Sequence, residues 1–215
     1  MTILRAGSAQ ADITPDWPLT MAGFAVRDHA SEGVHHPLRV RAVVLESETP
    51  ESTPARTVIV SADVLFWAAE FVDLFKDDIC AIAHVLPGQI LLSATHTHSG
   101  PQTSGELSSS IGVLDPRFHD RLRDGVRNAV TAAIDQLEPV TMSRWVGEHD
   151  LGFNRRPQFN PNGSVDRTLT VLRLDRDDGS PSTMLVHYAC HPTIYQGYQL
   201  SSEYCGVAMN ELEHR

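Results

Sequence analysis

The sequence is poor in cysteine, poor in basic relative to acidic charge, and without a long apolar run. Its 215 residues contain 3 cysteines, Cys80, Cys190 and Cys205, none of them in a Cys-x-x-Cys pair. Three such thiols do not make a disulfide framework. Lys and Arg total 17 against 27 Asp and Glu, a formal net charge of −10. Nucleic-acid phosphates are bound by Lys/Arg patches, so this balance argues against a nucleic-acid partner. No stretch approaches the roughly 18 apolar residues that a membrane-spanning helix requires. The first residues, Met1-Thr2-Ile3-Leu4-Arg5-Ala6-Gly7, hold no apolar h-region, so no secretory leader is visible. Cytoplasmic location is the expectation on that ground, or secretion if a leader has been trimmed. Nothing in the sequence speaks to oligomeric state.

What remains is a chain able to bury a core: 41% of its residues are hydrophobic, and its length suits a single domain over residues 1–215. Ala9 to Ile13 reads as a short strand ended by Thr14-Pro15-Asp16, and residues 21–37 as irregular. Arg39 to Glu46 and Thr57 to Ala62 read as strands, separated by a surface turn over Glu46 to Ala55. Phe66 to Val85 has helical periodicity and stops at Pro87-Gly88. The run from Gln89 to Ala94 is a further buried strand, and strand–helix–strand with short connections implies parallel pairing.

Asp115-Pro116 supplies an N-cap with proline at the first helical position. Phe118, Leu122, Val126, Val130, Ile134 and Leu137 then repeat at helical spacing up to Pro139. Val140 to Val146 reads as a strand. Leu169 to Leu174 and Thr183 to Cys190 read as a hairpin beyond the polar loop Asn154 to Asp166, and the residues from Ala208 onward as a helix. The expected fold class is α/β: a layered domain with a mixed, largely parallel β-sheet flanked by helices, its site at the carboxyl ends of strands.

Thr95-His96-Thr97-His98-Ser99-Gly100-Pro101 follows the strand 89–94 directly. Two imidazoles thus stand where a strand stops, the usual place for ligands in open α/β sheets. They are either metal ligands, acid/base groups or a solvated pair. Far downstream His191 also follows an apolar strand, whose exit Pro192 marks. If the two strands are parallel neighbours, His96 and His191 project from one sheet edge. Zinc takes such nitrogens at about 2.0–2.1 Å, and a catalytic zinc has three protein ligands and an open position, so two histidines are an incomplete set. Cys190 points away from His191 on a strand, which disfavours a Cys/His dyad and leaves Cys190 as a small buried hydrophobe. Ser99 lacks the flanking glycines of a nucleophile elbow. Asp63, at another strand end, is either an orienting partner for an imidazole or the N-cap of the next helix.

Several segments in order carry a resemblance: Ala11-Asp12-Ile13-Thr14-Pro15, Met21-Ala22-Gly23-Phe24, Gly33-Val34-His35, Val60-Ser61-Ala62-Asp63, the His96 loop, Phe153-Asn154-Arg155, Val165-Asp166 and Tyr188-Ala189-Cys190-His191-Pro192-Thr193. Together they resemble the amino-terminal catalytic domain of neutral/alkaline non-lysosomal ceramidases over nearly the whole chain. The resemblance implies a hydrolase holding one Zn2+ ion and cleaving the N-acyl bond of ceramide or a related lipid amide. It implies His96 and His191 as zinc ligands, with His98 and Arg155 beside the substrate's polar head. It further implies a Glu and a Tyr completing the zinc shell and a nearby Ser, all from positions beyond the equivalent of Leu212, so the chain is expected to be a piece of a longer catalytic domain.

In the mechanism this implies, zinc held by His96 and His191 would polarise the amide carbonyl and activate a water, His98 would shuttle a proton or donate a hydrogen bond, and Arg155 would grip a polar or anionic group. Arg156 is expected to be solvated, and His35 to lie at the surface or the pocket's edge. Two departures stand out: Glu203 where the family commonly has Asp, and the lack of a visible leader, which puts other amides beside ceramide as substrates. The competing classes are a non-catalytic metal- or lipid-binding domain of the same fold and a metal-independent serine hydrolase.

Overall fold

The structure, a computed structural model, describes residues 3–49 and 52–214. The chain runs through β1 (Ile3–Asp12), β2 (Gly33–Val34), β3 (Arg39–Thr49), β4 (Ser52–Ala62), α1 (Ala69–Ala83), β5 (Ile90–Ala94) and α2 (Pro116–Asp135). It continues through β6 (Glu138–Pro139), β7 (Thr141–Glu148), β8 (Thr168–Asp175), β9 (Pro181–Tyr188), β10 (Gln199–Leu200) and α3 (Glu203–Glu213).

The main sheet has the order β5-β4-β3-β1-β6. Strand alternation sorts its side chains into two faces. Val40, Ala42, Val44, Val58, Val60 and Ala62 lie on one face and pack, fully buried, against Phe75 and Ile79 of α1 and Phe118, Leu122, Val126 and Val130 of α2. Gly125 lets α2 approach closely, since a Cβ there would fall 2.4 Å from Cγ2 of Ile13. Truncating a core anchor such as Phe118 to Ala costs roughly 3–5 kcal/mol. The opposite face carries Leu4, Ala6, Val43 and Leu45, which meet Val140, Leu174 and Leu185. The last two belong to a second antiparallel sheet, β7-β8-β9. Helices, main sheet and second sheet are therefore three successive layers. Arg41, also on the second face, ties down α3 through Glu213 at 2.8 Å.

The α/β class, the helix after the Asp115 cap and the parallel β4–α1–β5 unit agree with expectation. The main sheet is mixed, but its parallel share is smaller than expected: β4–β5 is parallel, while β1–β3, β3–β4 and β1–β6 are antiparallel. The direct hairpin connection from β3 to β4, rather than a crossover, makes that pair antiparallel. The expected turn over Glu46 to Ala55 is largely strand, with Glu46 opposite Arg56 and Ser47 opposite Ala55. Buried Glu46 binds Arg56 at 2.7 Å, so its charge is compatible with the strand. Residues 50 and 51, the expected centre of that turn, lie outside the described residues. The final helix begins five residues before the expected Ala208. The largest correction concerns β5 and β9. They are not parallel neighbours but belong to different sheets.

Candidate metal centre

The parallel strands β4 and β5 end level, with Ala62 opposite Ala94. The chain beyond them stays bonded: Thr95 N donates to Ala62 O at 3.0 Å and His96 N to Val64 O at 3.1 Å. His96 adopts the left-handed region, φ 65°, where a non-glycine residue is held at a cost of order 1–3 kcal/mol and which is typical of functional loops. Thr97 turns inward, fully buried, and donates to Ser201 O at 2.6 Å. The histidines on either side of it share the outer side.

His191 reaches them from the other sheet, three residues past the end of β9. Its Nε2 lies 2.8 Å from Nε2 of His98, and the latter 3.4 Å from Nε2 of His96. One ligand nitrogen from each residue falls within 4.8 Å of the others, so the three could hold a metal ion. The donor set fits one. His96 Nδ1 lies 2.6 Å from Leu65 O, and His98 Nδ1 3.0 Å from Gly23 O. A carbonyl only accepts, so each Nδ1 carries the proton and each Nε2 turns a lone pair inward. Tetrahedral zinc with bonds of about 2.05 Å spaces its ligand nitrogens about 3.3 Å apart, which matches His96–His98. The 2.8 Å pair is closer and matches an N–H···N hydrogen bond. Burial, followed by the charge of His191 and His96, holds the His98 imidazole down to about 4, against the opposing effect of its hydrogen bond to Gly23 O. Burial, then His96, Arg155 and Arg156, lowers His191 as well. Both rings are therefore neutral near pH 7, the state in which imidazole binds metals.

The expected site residues meet here. His96, His98 and His191 form the cluster; His98 stands inside it rather than only beside it. Arg155 and His191 line one cavity of about 580 Å3. His35 stacks on Tyr195 with ring centres 5.2 Å apart, beside a second hollow lined by Ile194, Tyr204 and Val207. Ser99 is buried and occupied, donating to Tyr195 O at 2.9 Å and accepting from Arg27 at 3.1 Å. Asp63 performs neither expected role. The residue before α1 is Ala68, and the Asp63 carboxylate accepts from Arg39 N at 2.9 Å and faces Arg41. It points back into the sheet, not toward an imidazole.

Two residues with no assignment from sequence hold the site together. Arg27 donates to Ala22 O at 3.0 Å, His98 O at 2.6 Å, Ser99 Oγ at 3.1 Å and Gly197 O at 3.1 Å. Its planar fork thereby joins three loops. Glu203 is only 3% exposed, and its carboxylate accepts from Ile194 N and Tyr195 N, just past His191. Arg27 sits in an aperiodic loop, and no local pattern could have found it. Glu203 drew notice only as a departure from the family's pattern.

The family description "neutral/alkaline non-lysosomal ceramidase, N-terminal" matches residues 4–215. Neutral ceramidase A of Dictyostelium discoideum is 28% identical over 208 residues, which are 88% of this chain and 28% of that protein. The neutral ceramidase of Mycobacterium tuberculosis is 26% identical over 215 residues, 89% of this chain and 32% of that protein. The crystal structure of neutral ceramidase from Pseudomonas aeruginosa superposes with a TM-score of 0.83 at 23% identity, covering 100% of this chain and 36% of that one. The chain thus spans about a third or less of the curated relatives it matches.

Proposed function

The chain belongs to the neutral/alkaline non-lysosomal ceramidase family, and on that premise we propose that it supplies two histidine ligands of a zinc-dependent amidohydrolase. The bond cleaved is an N-acyl, linear amide bond, with ceramide or a related lipid amide as substrate. One observation carries this reading: three imidazoles converge on one point, with the Nε2 lone pairs of His96 and His98 turned inward by the bonds of their Nδ1 atoms to Leu65 O and Gly23 O. Bound zinc would polarise the amide carbonyl and lower the pKa of its water toward about 7.

His96 and His191 hold the ion in this scheme, one from each sheet. His98, with its proton committed to Gly23 O, offers Nε2 as an acceptor that orients the attacking water. A ring held near 4 is better suited to that task than to storing a proton. Arg155, on the cavity wall beside His191, offers its fork to the oxygen-bearing group of the substrate.

The test is metal analysis joined to activity on a panel of N-acyl amides that includes ceramide. Purified protein is expected to carry one zinc per chain and to lose hydrolysis on chelation. His96→Ala should lose both zinc and hydrolysis. A variant that keeps both removes His96 from the site, and zinc binding without hydrolysis of any amide supports the non-catalytic reading.

A further inference from the structure

Arg155 and Arg156 stand side by side on the wall of the cavity that contains His191. Both are exposed, and among the described residues neither guanidinium forms an ion pair or a hydrogen bond. Arg39, Arg127 and Arg144 likewise have no carboxylate partner among the described residues, but Arg155 and Arg156 are the two arginines that line this cavity. The backbone that displays the pair is closed on itself. Asn154 Nδ2 donates to Asn160 O at 2.7 Å, Asn154 Oδ1 accepts from Arg156 N at 3.0 Å, and Asn160 N donates to Arg156 O at 2.9 Å. The rest of the wall is mainly apolar, with Leu151, Phe153, Val165 and Ile194. Asp166 is the one carboxylate on that wall, and its Oδ1 already accepts from Thr168 N at 2.9 Å.

Two adjacent cations without a counter-ion repel each other, and an anion between them relieves the repulsion. Guanidinium forks match carboxylate and phosphate oxygens in pairs. The apolar wall suits an acyl chain. Ceramide's head group bears hydroxyls and no anion, which leaves the second arginine without a task.

We propose that the substrate is an N-acyl amide whose amine portion bears an acid group, a carboxylate or a phosphate, close to the amide, and that Arg156 selects it. This rests on the amidohydrolase reading. Water adds across the C–N bond: hydroxyl to the acyl carbon, proton to the nitrogen. The products are a fatty carboxylate and an amino acid or amino phosphate, with no change of oxidation state.

The experiment compares N-lauroylglycine, N-lauroyl-ethanolamine and its O-phosphate on the zinc-loaded full-length protein. The three share the acyl chain and differ in the acid group, so the carboxylate and phosphate arms separate the two sources of charge. At least one acid substrate should exceed the neutral one in kcat/KM by about tenfold, the scale of one charge-assisted hydrogen bond. In Arg156→Gln that ratio should fall toward one, with Arg156→Lys between. Calorimetric binding of the same ligands to chelator-treated protein should show the same order without turnover. Equal binding of acid and neutral ligands, or a preference that Arg156→Gln leaves intact, overturns the proposal. Arg156-dependent binding of the acid ligands with no hydrolysis of any amide upholds the anion site and overturns the amidohydrolase reading instead.

Discussion

Gly23 and His98 fit each other so closely that a Cβ added at Gly23 would strike the imidazole. The Gly23 carbonyl lies 3.0 Å from Nδ1 of His98, and a Cβ on Gly23 would fall 2.6 Å from that nitrogen. Gly23 also has φ +99°, a conformation that side chains resist. Gly23→Ala should therefore displace the imidazole while leaving the three-layer core in place. Zinc affinity or amide hydrolysis should fall about 10- to 100-fold, the usual cost of losing an outer partner of a metal site. An unchanged circular dichroism spectrum with that loss is the expected result, and full activity would show that His98 does not need this geometry.

His98→Gln tests the division of labour within the triad. With His96 and His191 as the ligands, the variant should keep most of its zinc and lose hydrolysis by about 10²- to 10⁴-fold. Loss of zinc in parallel with activity would make His98 a ligand. Atomic absorption and turnover on one preparation decide between them.

Arg27→Ala removes the four bonds that join the Ala22, His98 and Gly197 segments. The expected loss is roughly 3 kcal/mol of stability, set by charge-assisted bonds to half-buried acceptors, together with weaker zinc binding. Arg27→Lys should recover only part, since an ammonium cannot reproduce a planar fork. Denaturant titration and zinc competition on both variants provide the check.

Asp63 gives the fold a pH dependence. Burial pushes its carboxyl from 3.8 up to about 6, with Arg41 the largest opposing influence. The folded state thus holds the proton more tightly than the unfolded chain does. Its contribution to stability is full below about pH 4 and is lost as pH rises through 6, by about 3 kcal/mol for a shift of about two units. Asp63→Asn, which keeps an acceptor for Arg39 N, should flatten stability between pH 4.5 and 7.5 in urea titrations. The same slope in both proteins would assign the dependence to other groups.

The histidine motif was legible because it is local: an apolar strand, a stop, then imidazoles two apart. Its second half, His191-Pro192, was legible for the same reason. The supposed geometry between them was not, since β5 and β9 lie in different sheets and nothing periodic records which sheet a strand joins. The Asp63 assignment failed for a related reason. Its place at a strand end suggested a site role, but Arg39 and Arg41 on the neighbouring strand capture the carboxylate. Arg27 reaches His98 and Gly197 and Glu203 reaches Ser99, all distant in sequence, beside nearer contacts to Ala22, Ile194 and Tyr195, and neither lies in a pattern that announces it.

By itself the sequence determined what depends on near neighbours. That includes the helices with their apolar stripes and the Asp115 cap, the parallel β4–α1–β5 unit, the histidines at strand exits and the family. Tertiary structure alone decided the antiparallel majority of the main sheet, the layering of a second sheet behind it, and the meeting of His191 with His96 and His98 across that layering. Side-chain periodicity is set by bonds a few residues long. The convergence of three imidazoles and the paired display of Arg155 and Arg156 beside them require segments up to 95 residues apart to close on one another, and only the packed core fixes where they meet.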